Sequence, residues 1–158
     1  MTHPVRDPLL TALSEERTAV RDFVDLLQRE QLLLTENDIE PLLPLAEQKS
    51  AHAVRLNQLS EACRRLLEKI SAKLDNGEIE AWMKTHSAEA LSMWREVRTL
   101  AGQAKQLNNV NGELIQMKLR HNQQTFTALS GAVNQANLYG ANGQASFTPG
   151  SGRSLGSG

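Results

Sequence analysis

Along the first third of the chain, apolar residues return to one helical face. Leu10, Leu13, Val20, Val24, Leu27 and Leu34 share it, and Leu13, Val20, Leu27 and Leu34 stand seven apart. Glu15, Glu16, Arg21, Asp22, Asp25 and Arg29 fall between them and read as a solvated outer face, so a helix over 8–35 is predicted. A second helix over 38–74 follows from Leu42, Leu45, Ala46, Ala53, Leu56, Leu59, Cys63, Leu66, Leu67 and Ile70. Asn37 or Asp38 offers a side-chain oxygen to its free first-turn amides, and Pro41 suits that turn. Pro44 predicts a kinked or delayed start. Asp75-Asn76-Gly77 reads as a stop, with Gly77 taking a left-handed backbone. A short helix over 78–85 then carries Ile79, Trp82 and Met83, and Ser87 caps a last helix over 87–138 that opens with Leu91, Trp94, Val97 and Leu100.

That last helix holds the least orthodox pattern. Leu107, Val110, Leu114 and Met117 form one apolar stripe; Ile115, Leu119, Phe126, Leu129 and Val133 form another that overlaps it. Together they make a face broader than a two-stranded seam requires. Asn108, Asn111, Gly112 and Asn122 interrupt this face although they are poor core residues. An asparagine at a seam position fixes register at a cost in stability, and a glycine lets another helix approach. The expectation for Leu107, Asn108, Asn111, Gly112, Leu114 and Ile115 is therefore packing against the first two helices.

Helix lengths add a geometric expectation. The last helix spans ~78 Å at 1.5 Å per residue. Short connections make neighbours antiparallel, so the last helix draws level with the far end of the second near residue 124. Residues 125–138 would then project beyond the bundle while still carrying Phe126, Leu129 and Val133. An uncovered apolar stripe of that kind calls for a partner, self-association or folding back. The fold class expected is all-α: an elongated antiparallel three-helix bundle or coiled coil over 1–138, its C-terminal helix long. A Gly/Ser-rich tail at 139–158, unable to bury enough surface to order itself, completes the chain.

Composition narrows the functional classes. Hydrophobic residues make up 40% and aromatics 4% of 158, so the core is aliphatic and suits helix-on-helix packing. A net charge of -1 argues against nucleic acid as partner. The single cysteine, Cys63, lies in phase with Leu56 and Ile70 as a small core residue; it permits no internal disulfide and points to a reducing compartment. The first ten residues have no apolar core of signal-peptide length, and no run approaches the ~20 apolar residues of a membrane span. A soluble cytoplasmic protein without membrane insertion is expected. His3, His52, His86 and His121 are scattered without metal-ligand spacing, and no Gly-rich loop follows a strand. Nothing marks a catalytic centre, a metal or a cofactor. A phosphotransfer role for His121 is disfavoured because KLRHNQQ lacks a small residue to open the ring to a docking partner. Trp82 and Trp94 flank the 75–87 connection and are expected to be buried there.

One set of residues carries a resemblance. Leu107-Asn108, Asn111-Gly112, Leu114-Ile115, Asn122-Gln123-Gln124 and Leu129 lead to Leu138-Tyr139-Gly140 and Gly143-Gln144. This order, LNxxNGxLI, then NQQ, then LYGxxGQ, resembles the FlgN family of flagellar export chaperones. The close likeness covers about Leu107 to Ser146; earlier residues agree in helical character, length and the run from Leu42 to Lys49. The resemblance implies a cytoplasmic type III export chaperone that binds the C-terminal segments of the hook-associated proteins FlgK and FlgL. It places client binding at Asn122, Phe126, Leu129 and Val133, and docking on the export-gate protein FlhA at Tyr139 and Gly140. The rival expectation is a helical scaffold or homo-oligomeric coiled coil without an export role.

Overall fold

In a computed structural model of the chain, residues 4–73, 75–120 and 130–131 are described, and every element among them is helical. Helix α1 spans Arg6–Thr35, α2 Leu42–Glu68, α3 Asn76–His86 and α4 Ala88–Leu119. Residues 130–131 are helical as well. The all-α expectation holds.

The seven-residue spacing in α1 does what it predicts: Leu13, Val20 and Leu27 are fully buried and Leu34 nearly so. The helix ends in a Schellman turn. Asn37 takes a left-handed backbone, φ 57°, while its amide donates to the Leu34 carbonyl and that of Asp38 donates to Leu33. Asn37 and Asp38 were expected to cap the second helix. Instead they complete the first, because asparagine tolerates the left-handed conformation that closes a helix C-terminus. Helix α2 consequently begins at Leu42 with no side-chain cap. This delay places Pro44 in the first turn, where its missing amide is no loss and no kink is required.

At the other end α2 stops at Glu68, short of the expected residue 74, and the connection to α3 is held by a buried serine. Ser71 Oγ donates to Glu78 Oε2 at 2.8 Å and accepts the Asp75 amide at 3.3 Å. Asp75 Oδ1 then accepts the amides of Gly77 and Glu78 at 2.8 and 3.3 Å. Asp75-Asn76-Gly77 is thus the start of α3, with Gly77 inside its first turn rather than in a left-handed cap. The same residue types mark both kinds of helix end, and the free Asp75 carboxylate decides for a beginning. Ser87 behaves as expected: its Oγ accepts the Ala90 amide at 3.1 Å and opens α4.

Helix α1 packs along both α2 and α4. Its residues meet α4 in the same order along both helices, so the two run parallel and α2 runs against them. Near the α3 end, Leu9 and Leu13 join Ile79, Met83, Ala90 and Trp94. In the middle, Val20, Phe23 and Leu27 join Leu56, Ala101 and Ala104. At the far end, Leu34 and Leu42 join Ile115 and Leu119. Trp94 is buried and Trp82 half-buried, stacked on His86 at 4.5 Å between ring centroids.

Glu16 corrects the expectation of a fully solvated charged face on α1: it is 6% exposed. It stands three residues after Leu13, on the seam itself, and interacts with the buried thiol of Cys63. Burial, and secondarily the Glu16 carboxylate, push that thiol far above its ordinary value. A thiol held neutral and out of solvent is a poor nucleophile. The native protein at pH 8 should therefore react with a disulfide reagent orders of magnitude more slowly than the urea-unfolded chain; equal labelling rates would contradict this burial.

Candidate partner surface

Helix α4 is where the sequence left its puzzle, and the structure resolves it by turning the two stripes apart. Ala101, Ala104, Asn108, Asn111, Ile115 and Leu119 face inward. The other stripe faces out: Leu107 and Leu114 are half-buried, whereas Val110 is 38% and Met117 56% exposed. The asparagines do not interrupt a hydrophobic face from outside. They are core positions, 2% and 0% exposed respectively. Gly112 is half-buried and Ile115 fully buried.

Asn111 is buried because it has partners. Its Nδ2 donates to the Leu27 carbonyl at 2.8 Å and to Glu30 Oε1 at 2.9 Å. The same Glu30 carboxylate accepts two bonds from Lys49 Nζ, at 2.9 and 3.2 Å. Glu30 is 1% and Lys49 0% exposed, so one carboxylate ties α1, α2 and α4 together out of solvent. Burial lowers the Lys49 ammonium pKa, and the Glu30 charge and hydrogen bonds act against that fall. By residue type alone, Glu30 and Lys49 read as surface charges. The signal was present: Glu30 lies fourteen residues after Glu16 with Phe23 midway, and Lys49 stands seven from both Leu42 and Leu56.

This polar layer separates the middle cluster from the smaller one at the far end, where Lys118 reaches Asn37 beside the α1–α2 turn. The turn therefore lies level with residue 118, somewhat before the residue 124 expected from helix lengths. Asn122, Phe126, Leu129 and Val133, expected to bind a client, and Tyr139 and Gly140, expected to dock on an export gate, lie outside the described residues, as do His121 and the tail. Their sequence spacing prolongs the inward stripe: from Leu119, the positions 122, 126, 129 and 133 continue its steps of three and four.

The outer junction of α1 and α4 changes chemistry along its length. Near the α3 end, Arg17 pairs with Glu96 at 3.3 Å and Arg21 pairs with the same carboxylate. Desolvation works to raise the Glu96 carboxyl, but the two guanidiniums outweigh it and hold it below its usual value. Further along, a groove of about 340 Å³ opens, lined by Gln28, Gln31, Gln103, Gln106, Leu107 and Val110. A second groove, of about 430 Å³, lies between α1 and α2 among Glu15, Asp22, His52 and Arg55. Among the described residues no three His, Cys, Asp or Glu side chains gather as metal ligands.

The family profile described as FlgN protein matches residues 1–146. The chain belongs to the FlgN family. It is 27% identical over 149 residues to the flagella synthesis protein FlgN of Escherichia coli (strain K12), which covers 93% of this chain and 96% of that protein. No solved structure matches it. The profile extends the likeness well beyond the C-terminal motifs, so α1 and α2, which carry Glu30 and Lys49, belong to the family region too.

The polar layer makes a stability prediction. Lys49→Met strands the buried Glu30 carboxylate and should cost about 3–5 kcal/mol. Adding Glu30→Leu and Asn111→Leu removes every member of the layer and should recover most of that loss in urea unfolding. A triple variant no more stable than Lys49→Met would sink the account.

Proposed function

We propose that this chain is a cytoplasmic chaperone of flagellar type III export, binding the C-terminal segments of the hook-associated proteins FlgK and FlgL and delivering them to the export-gate protein FlhA. The observation that carries this reading is the FlgN-family match across 146 residues, with a relative named for flagella synthesis. Two structural features support it. The outward stripe of α4 leaves apolar side chains in solvent on a helix whose other face is already buried. No helix among the described residues is long and apolar enough to cross a membrane.

The physics of the task is binding without chemistry. A client segment that assembles in the finished flagellum carries apolar surface which, before export, would drive premature association. Covering that surface with an amphipathic helix blocks assembly and leaves the rest of the client free to thread. Ordering a client segment on binding consumes part of the contact free energy, so affinity stays moderate and release at the gate is feasible.

The residues assigned to the client are Asn122, Phe126, Leu129 and Val133, which continue the inward stripe of α4 in sequence beyond the end of the three-helix body. Phe126→Ala and Leu129→Asp should each weaken client binding by about tenfold or more in titration calorimetry. Thermal unfolding of the body should stay within about 1 kcal/mol of wild type. Unchanged client affinity would remove these residues from the site. Tyr139 and Gly140 are assigned to gate docking. Tyr139→Ala should leave client affinity intact and reduce secretion of hook-associated proteins by motile cells; secretion at the wild-type level would discard the docking role.

A further inference from the structure

The outer groove between α1 and α4 has a composition that specifies its occupant. Two amides from each helix line it, Gln28 and Gln31 on α1 and Gln103 and Gln106 on α4, together with the apolar Leu107 and Val110. No residue of α2 or α3 lines it and no lining residue is ionic. The ion pairs of Arg17 and Arg21 with Glu96 at the same junction involve no residue that lines the groove. From Thr99 to Met117, α4 bears two charged residues, Lys105 and Glu113, and neither lines the groove.

We propose that this groove and the stripe continuing from it through Leu114 and Met117 seat an amphipathic helix of the exported client whose docking face is uncharged, apolar along its ridge and amide- or hydroxyl-bearing at its flanks. The inference rests on the chaperone reading and adds to it a second contact surface, its partner chemistry and a part for α1. A charged group lowered among these amides would lose hydration and find no counter-ion among the lining residues, which costs several kcal/mol. An amide both donates and accepts, so four of them satisfy polar flanks of either kind. The furrow between two parallel helices admits the ridge of a third, as in helix-in-groove recognition. From Gln103 to Met117 the surface runs ~21 Å, or about four turns of an occupying helix.

A second copy of this chain is a poorer occupant. Pairing the groove with its own twin sets two concave surfaces against each other, and neither fills the other. Offering instead another exposed apolar residue, such as Leu43 or Val54 on α2, makes a head-to-tail contact, which builds a ring or a filament rather than a two-fold pair.

The test is calorimetric titration of the full chain with the purified C-terminal segment of a hook-associated protein, at about 0.05 and about 0.5 M salt. The dissociation constant should change by less than about threefold between the two, since no ion pair forms. Val110→Asp and, separately, Met117→Asp and Gln31→Lys should weaken binding about tenfold or more, while Val54→Asp, on the opposite side of the body, leaves it unchanged. All four sites are solvent-exposed or partly so, and circular dichroism melting confirms that each variant folds. Failure of the wild-type chain to bind any such segment overturns the chaperone reading itself. Binding that survives all three groove variants overturns the groove assignment alone, and strong weakening by salt overturns the uncharged face. Sedimentation showing a dimer that Val110→Asp dissociates would assign the groove to a second copy instead.

Discussion

A carboxylate that is 1% exposed in an aliphatic bundle sets the terms for everything around it. A carboxylate out of water needs donors, and three hydrogen bonds reach Glu30, two from Lys49 and one from Asn111. Those donors come from different helices, so satisfying one charge fixes the axial position of all three. Sliding α2 by one heptad would bring Leu42 or Leu56 opposite the carboxylate and strand it. Leu-rich helices with seven-residue repeats are permissive about register, since one leucine layer packs nearly as well as the next. The polar layer removes that freedom, at some cost in stability against an all-apolar core.

The same layer divides the interior. On one side lies the middle cluster of Val20, Phe23, Leu27 and Leu56; on the other, only Leu34, Leu42, Ile115 and Leu119 are buried together. Glu16 beside Cys63 makes a comparable polar station two heptads earlier, between the middle cluster and the one built on α3. A core built in segments of this kind has its cooperativity concentrated within each segment. Among the described residues the far segment is the smallest of the three, and it lies beside the α1–α2 turn where α4 ends at Leu119.

Much of this was legible in the sequence, and what was not failed for identifiable reasons. The seven-residue ladder of Leu13, Val20, Leu27 and Leu34 and the capping role of Ser87 follow from periodicity and local chemistry, and both are found where expected. Helix ends were less legible because Asn and Asp serve starts and stops alike: Asn37 closes α1, and Asp75 opens α3. Glu16, Glu30 and Lys49 were missed since a charged residue among charged neighbours reads as solvent-facing unless its heptad position is weighed above its type. The asparagines of α4 were correctly seen as anomalous. Their partner was out of reach, as Asn111 finds Glu30 eighty-one residues away and no local pattern announces such a pairing.

The spacing along α4 predicts one broad apolar face, and its division into two stripes changes what the helix can do. A single broad face would be consumed in packing, leaving nothing for a partner until the helix outran its bundle. Two faces allow one to be held by the Glu30 layer while the other stays open over the same residues. Because the inward face is tied by directional hydrogen bonds rather than by leucines alone, the helix cannot roll to bury Val110 and Met117 without breaking the bonds of Asn111. Exposure of that stripe is therefore enforced by the core. The buried charge and the uncovered apolar surface are two consequences of one arrangement.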